Sequence, residues 1–218
     1  MKKQVPHSQK VLNLWGIILI FWVFYRLKFK MPEWFDEFIA KPIVFILPVH
    51  YFVKNIEKKS FLPSIDWSFK TLKNDFLIST FIGLTIFLTL SLAKYFQNKE
   101  IVFLRYEINY LIFFYTIIIS LATAISEQIL STGFVLKRLY EETKNFHQSA
   151  FLSALLFFFL HVPFRFTIPG LIGDKLIFLM ITDVFLSLLN SYFYLSHKSL
   201  NLPIFIHAFY NIIVALIA

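Results

Sequence analysis

The sequence predicts an all-α fold, a polytopic membrane helical bundle of about seven transmembrane spans. Three observations predict it. Of 218 residues, 58% are hydrophobic and 16% charged, and 29 are Phe, more apolar surface than a soluble domain can hide. Apolar stretches recur at lengths near the ~20 residues that cross ~30 Å of hydrocarbon. The net charge of +8 is scattered over short segments between those stretches, the pattern of positive-inside anchoring rather than of a nucleic-acid surface. No basic stripe with interleaved aromatics accompanies it, so nucleic acid is not an expected partner. With no cysteine there is neither a disulfide framework nor a thiolate metal site.

The spans are expected at about 11–27, 38–53, 76–96, 108–136, 149–164, 176–195 and 200–217. Met1-Lys2-Lys3 leads into the first, and no small-residue cleavage pattern follows before Arg26-Leu27-Lys28, which reads as a retained span. The second contains Lys41, Pro42 and Pro48 and is expected to be kinked, re-entrant or folded as a short hairpin. The connector from Lys54 to Asp75 mixes aromatic and basic residues, as in a segment lying among headgroups. Two regions follow, 1–107 with the first spans and the connector, and 108–218 with the core. The distribution of Lys and Arg favours a multi-pass protein of the cell membrane with a cytoplasmic amino terminus.

Within the fourth span lies a polar island, Ser126 to Gly133, that sets Glu127 at membrane depth. An intramembrane carboxylate costs roughly 2.5–3.5 kcal/mol on insertion scales and is retained where it faces the protein interior or does chemistry. The fifth and seventh spans each carry a histidine, His161 and His207. Phe157 and His161 are four apart, as are His207 and Asn211, so each pair shares a helical face. Counting ~1.5 Å per residue from the expected span ends puts Glu127 ~15 Å, His161 ~18 Å, His207 ~10 Å and Asn211 ~16 Å from one membrane face, a common slab between the inner leaflet and the midplane.

The ordered set, a Glu-bearing span, then Phe-x-x-x-His, then His-x-x-x-Asn, resembles the CPBP family of intramembrane proteases, which includes the type II CAAX prenyl protease and bacteriocin-processing or immunity relatives. Leu200 to Asn211 is the closest stretch, with Pro203 and His207-Ala208 ahead of the Asn. The resemblance implies that Glu127 and His161 activate water while His207 and Asn211 stabilise the oxyanion, hydrolysing a peptide bond near the inner leaflet. A desolvated carboxylate is a stronger base, and donors in a low-dielectric site stabilise developing charge far better than exposed ones, so the assignment is chemically coherent.

The family's first signature, E-E-x-x-x-R, is not met in full: Gln128 and Thr132 stand where its second Glu and its Arg would be. The two losses are of opposite sign and four apart, so a neutral hydrogen-bonded pair is expected in place of an ion pair. They also support a second reading, a catalytically impaired relative acting as a membrane binding or peptide-toxin immunity protein. A third, a small transporter, lacks any inverted repeat.

Zinc is the competing chemistry. Glu127, His161 and His207 would supply three ligands and leave an open position. The chain lacks H-E-x-x-H, and a metal-free glutamate mechanism with no cofactor is favoured. The expected partners are the lipid bilayer and a peptide or membrane-protein substrate. Asp183 is expected to pair structurally. His7, His147 and His197 are expected in loops, Glu141-Glu142 in a solvated loop, His50 near a span end, and Phe157-Phe158-Phe159 on packing and lipid-facing surface.

Overall fold

The computed structural model describes residues 6–99, 109–166 and 171–217. Lys2, Lys3, Arg105, the expected start of the fourth span at Ile108 and the expected boundary between 107 and 108 lie outside them. Among the described residues there is no strand. Seven long helices form the bundle: α1 (His7–Lys28), α2 (Glu33–Ile56), α3 (Leu72–Asn98), α4 (Tyr110–Thr143), α5 (Phe146–Arg165), α6 (Gly173–His197) and α7 (Asn201–Ile217). The first six are long and apolar enough to cross a membrane, and α7 is a shorter apolar helix. Helices are the form in which a hydrocarbon-facing backbone satisfies its own polar groups, and large side chains such as Phe21, Phe81, Leu111 and Phe185 point outward along them. The chain is therefore an integral, multi-pass membrane protein.

Helix α7 packs against α3, α4 and α6, while α5 packs against α6, α1 and the second half of α4. Helix α2 closes the bundle against α1 and α4. The polar residues of α4 and α7 thus sit at the centre.

Helix α2 corrects one expectation, because it is a single helix across Lys41, Pro42 and Pro48 rather than a hairpin or re-entrant loop. Wide i→i+5 turns over Asp36–Ala40, Pro42–Ile46 and Phe52–Ile56 give the proline rings room against the preceding carbonyls. Pro163 likewise does not end α5, which runs to Arg165. Helix α4 widens in the same way over Ile129–Leu136, immediately after Glu127 and Gln128. Such bulges re-aim side chains and recur at functional sites.

The connector is exposed along most of its length, including Lys58, Lys59, Phe69 and Lys70, but its middle dips into the bundle. Ile65 is fully buried, and a Cβ added to Gly133 would stand 3.1 Å from the Ile65 Cβ, so only glycine lets the connector approach α4 this closely. Asp66 accepts from Lys137 Nζ and from the Tyr194 hydroxyl, each at 2.7 Å, and its carbonyl accepts from Leu200 N at 3.0 Å. Arg138, expected only as a flanking charge, is buried: it donates from Nε and Nη2 to the two oxygens of Glu57 at 3.0 and 2.8 Å and from Nη1 to the Gly133 carbonyl at 2.7 Å. Burial pushes the Glu57 carboxyl up, but the hydrogen bonds and charge of Arg138 outweigh it and hold the group below its ordinary range. Glu141 and Glu142 are exposed as expected but belong to α4 rather than a loop, and Glu142 accepts from the backbone and hydroxyl of Ser8. His7 opens α1 and pairs with Glu57 at 3.0 Å, while His147 and His197 lie in the terminal turns of α5 and α6. These three are helical because the apolar patterning ends before the backbone ladder does.

Candidate active site

Glu127 is buried near the middle of α4, held by a cation from α2. Lys41 Nζ donates to Glu127 Oε1 at 2.7 Å and pairs with Glu37 Oε2, one turn earlier on α2, also at 2.7 Å. The other carboxylate oxygen, Oε2, has no hydrogen-bond partner in the protein. It faces His161 Nε2 at 3.5 Å and His207 Nε2 at 3.7 Å. Glu127, His161, His207 and Asn211 line one cavity of about 210 Å³, bounded also by Thr123, Phe157, Arg165 and Asp183. A water occupies about 30 Å³, so the cavity has room for a nucleophile and part of a substrate. A second cavity of about 110 Å³ meets Glu127 and His161 from the other side, between Trp22, Arg26, Glu37 and Lys41.

The hydrogen bonds behind the site fix its proton positions. Thr132 Oγ1 donates to Gln128 Oε1 at 2.5 Å, which turns the Gln128 amide nitrogen toward His207 Nδ1 at 2.9 Å. An amide nitrogen only donates, so His207 Nδ1 accepts and its Nε2 carries the hydrogen. On His161, Nδ1 lies 3.0 Å from the Phe157 carbonyl, an acceptor, so Nδ1 bears a hydrogen and Nε2 is the nitrogen that faces Glu127. Phe157 also packs its ring against both imidazoles, with centroids 4.5 Å from His161 and 6.0 Å from His207. When the His161 ring is neutral, Glu127 Oε2 and His161 Nε2 are two acceptors that a water satisfies by donating to both, while His207 presents a donor. Ser131, donating to the Glu127 carbonyl at 2.6 Å, and Ser153, donating to the Ser131 carbonyl at 3.1 Å, stitch this turn of α4 to α5.

Residues 109–213 match the family described as type II CAAX prenyl endopeptidase, Rce1-like. The carboxy-terminal half of the chain is thus similar to that family, which is consistent with the CPBP resemblance read from its motifs. Comparison with curated proteins and with solved structures gave no match.

The Rce1-like stretch contains Glu127, Gln128, Thr132, Phe157, His161, His207 and Asn211, and the structure brings all seven into one cluster. The neutral pair expected at Gln128 and Thr132 is present as a hydrogen bond. Lys41 and Glu37 lie outside the matched stretch, and sequence reasoning did not assign them to the site. Their signal was a lysine stranded in an apolar span four residues after a glutamate. Asp183, expected to pair with an unknown partner, accepts from Arg165 Nη2 at 2.6 Å on the same cavity wall. Among the described residues no three or more His, Asp or Glu side chains are placed to hold a metal ion.

Helix α7 begins within the protein, since its first residues, Asn201 and Leu202, are buried.

Proposed function

We propose that the chain is an intramembrane endopeptidase of CPBP type, acting without a metal, in which Glu127 is the general base. A water donating to Glu127 Oε2 and His161 Nε2 attacks the scissile carbonyl carbon and passes its proton to Glu127. The carbonyl oxygen becomes an oxyanion that accepts from His207 Nε2–H and the Asn211 amide. Collapse breaks the C–N bond, Glu127 returns the proton to the leaving nitrogen, and the products are a carboxylic acid and an amine. The Lys41 ammonium donates to one Glu127 oxygen and leaves the second toward the two imidazoles. It thereby supplies from α2 the charged support that Gln128 and Thr132 do not.

The observation that carries this reading is Glu127 Oε2, a buried carboxylate oxygen without a protein partner, set between two imidazoles on a cavity that Asn211 also lines. The Rce1-like match supports a prenylated CAAX-terminated peptide as the first substrate to try. The test is cleavage of a quenched, prenylated CAAX peptide, and of its unprenylated counterpart, by purified protein in liposomes. Glu127→Ala is expected to lose at least about 100-fold in rate, the usual worth of a general base. Equal rates in the two proteins would remove the assignment. Retained biological function in a Glu127→Ala, His161→Ala double variant would favour the non-catalytic binding or immunity role.

A further inference from the structure

The ion pair between Arg165 and Asp183 is not used by the chemistry above. Arg165 follows His161 by one turn at the end of α5, and Asp183 stands on α6 with 5% of its surface exposed. The pair makes one contact, Nη2 to Oδ1 at 2.6 Å. Arg165 Nε and Asp183 Oδ2 are both buried and have no hydrogen-bond partner in the protein. A pair that served only to staple α5 to α6 would be expected to close as a two-pronged fork and satisfy both groups, since buried unpaired donors and acceptors are costly. Here one donor and one acceptor are left over on one ion pair, and both of its residues line the cavity that holds Glu127, His161, His207 and Asn211.

One donor with one acceptor is the complement of a single face of an extended peptide, whose carbonyl accepts and whose N–H donates. A substrate drawn out of its helix within a bilayer must have those groups satisfied by the enzyme, because no lipid can do it. The charges also discriminate. Asp183 already neutralises Arg165, so the wall favours an uncharged peptide group over a free terminal carboxylate. The rise from His161 to Arg165 is ~6 Å, the length of about two residues of extended chain. We propose that the Arg165–Asp183 pair is a backbone-binding subsite that holds a neutral, internal peptide unit about two residues from the scissile bond. The proposal rests on the protease reading and adds that the substrate is gripped through its main chain, so the bond cut is internal.

The experiment alters the substrate, which leaves the protein's folding untouched. In the quenched prenylated peptide, each amide flanking the cleavage site is replaced in turn by an ester, which deletes one N–H. Wild-type protein in liposomes is expected to lose about tenfold in kcat/KM at one position near two residues from the cut, the scale of a hydrogen bond to a charged group. The Arg165→Met, Asp183→Leu double variant removes both charges at similar volume, and its melting point reports that it folds. In that variant the ester penalty at the position is expected to vanish. No position-specific penalty in the wild type, or the same penalty in both proteins, would overturn the subsite. If wild type and Glu127→Ala show equal rates, the protease reading fails separately. The subsite is then read from binding of the same peptides to full-length protein in nanodiscs, where tenfold weaker binding of one ester supports it and equal affinity overturns it.

Discussion

Removing the Lys41 ammonium tests whether the α2 lysine holds Glu127. Lys41 Nζ lies 2.7 Å from both Glu127 Oε1 and Glu37 Oε2, and its side chain is 7% exposed, so Lys41→Met leaves two carboxylates in the interior with no counter-charge. Breaking a buried pair from one side costs about 3–5 kcal/mol. For a chain of this size that corresponds to a fall in melting temperature of roughly 6–20 °C. Activity should fall with it, since Glu127 loses the contact that orients Oε2 toward the cavity. Adding Glu127→Leu to Lys41→Met should recover much of the stability, because neither charge then remains unpaired across that contact, while activity stays absent. The assay is a double-mutant cycle on thermal unfolding in detergent, run beside the liposome cleavage assay. A coupling below about 0.5 kcal/mol, the level at which independent sites add, would refute the ion pair. Full activity in a folded Lys41→Met protein would refute its role in holding the base.

Thr132→Val deletes the donor that turns the Gln128 amide, so His207 is expected to lose its fixed tautomer and activity to fall about tenfold, with about 1–3 kcal/mol of stability lost to the unsatisfied Gln128 oxygen. Nitrogen NMR of labelled His207 checks it, and an unchanged tautomer would contradict the network. The Glu57 carboxyl is held below its ordinary range, so its contribution is complete above the unfolded value of about 4.3 and is lost as pH falls through the lower folded value. Melting temperature should therefore drop on acidification below that range in the wild type, and less steeply in Glu57→Gln. Gly133→Ala drives a methyl to 3.1 Å from Ile65 Cβ and from a Leu200 methyl, and is expected to cost about 1–3 kcal/mol in thermal unfolding. A neutral result there would mean that the connector gives way.

The bundle was readable because bilayer thickness sets helix length and because lipid leaves the backbone no alternative to helix. The cluster of Glu127, His161, His207 and Asn211 was readable for a related reason: polar groups in apolar spans must find one another. Gln128 and Thr132 were legible as a pair because helical spacing brings residues four apart together. Lys41 escaped because its span was expected to break at Pro42 and Pro48, and nothing local to a helix reveals which other helix receives a side chain. Arg165 was taken for a boundary charge for the same reason, since its partner Asp183 is on α6. The start of α7 was not legible, because its apolar run begins inside the protein, where hydropathy cannot tell core from lipid. Arg138 shows that limit in reverse: a basic residue at an apolar boundary looked solvated, and the connector turned back to bury it.

The lysine on α2 also bears on how such a protein is divided. Every motif residue lies within 109–213, so a trimmed chain keeping that stretch would look complete by inspection of its motifs. It would nevertheless carry a naked carboxylate at its heart, because the counter-ion belongs to the part cut away. The amino-terminal helices thus share the proposed reaction centre, and their replacement by others of equal length and greasiness is expected to preserve insertion while removing the cation beside Glu127. The family resemblance is carried by one half of the chain, but the charged surroundings of Glu127 come from both.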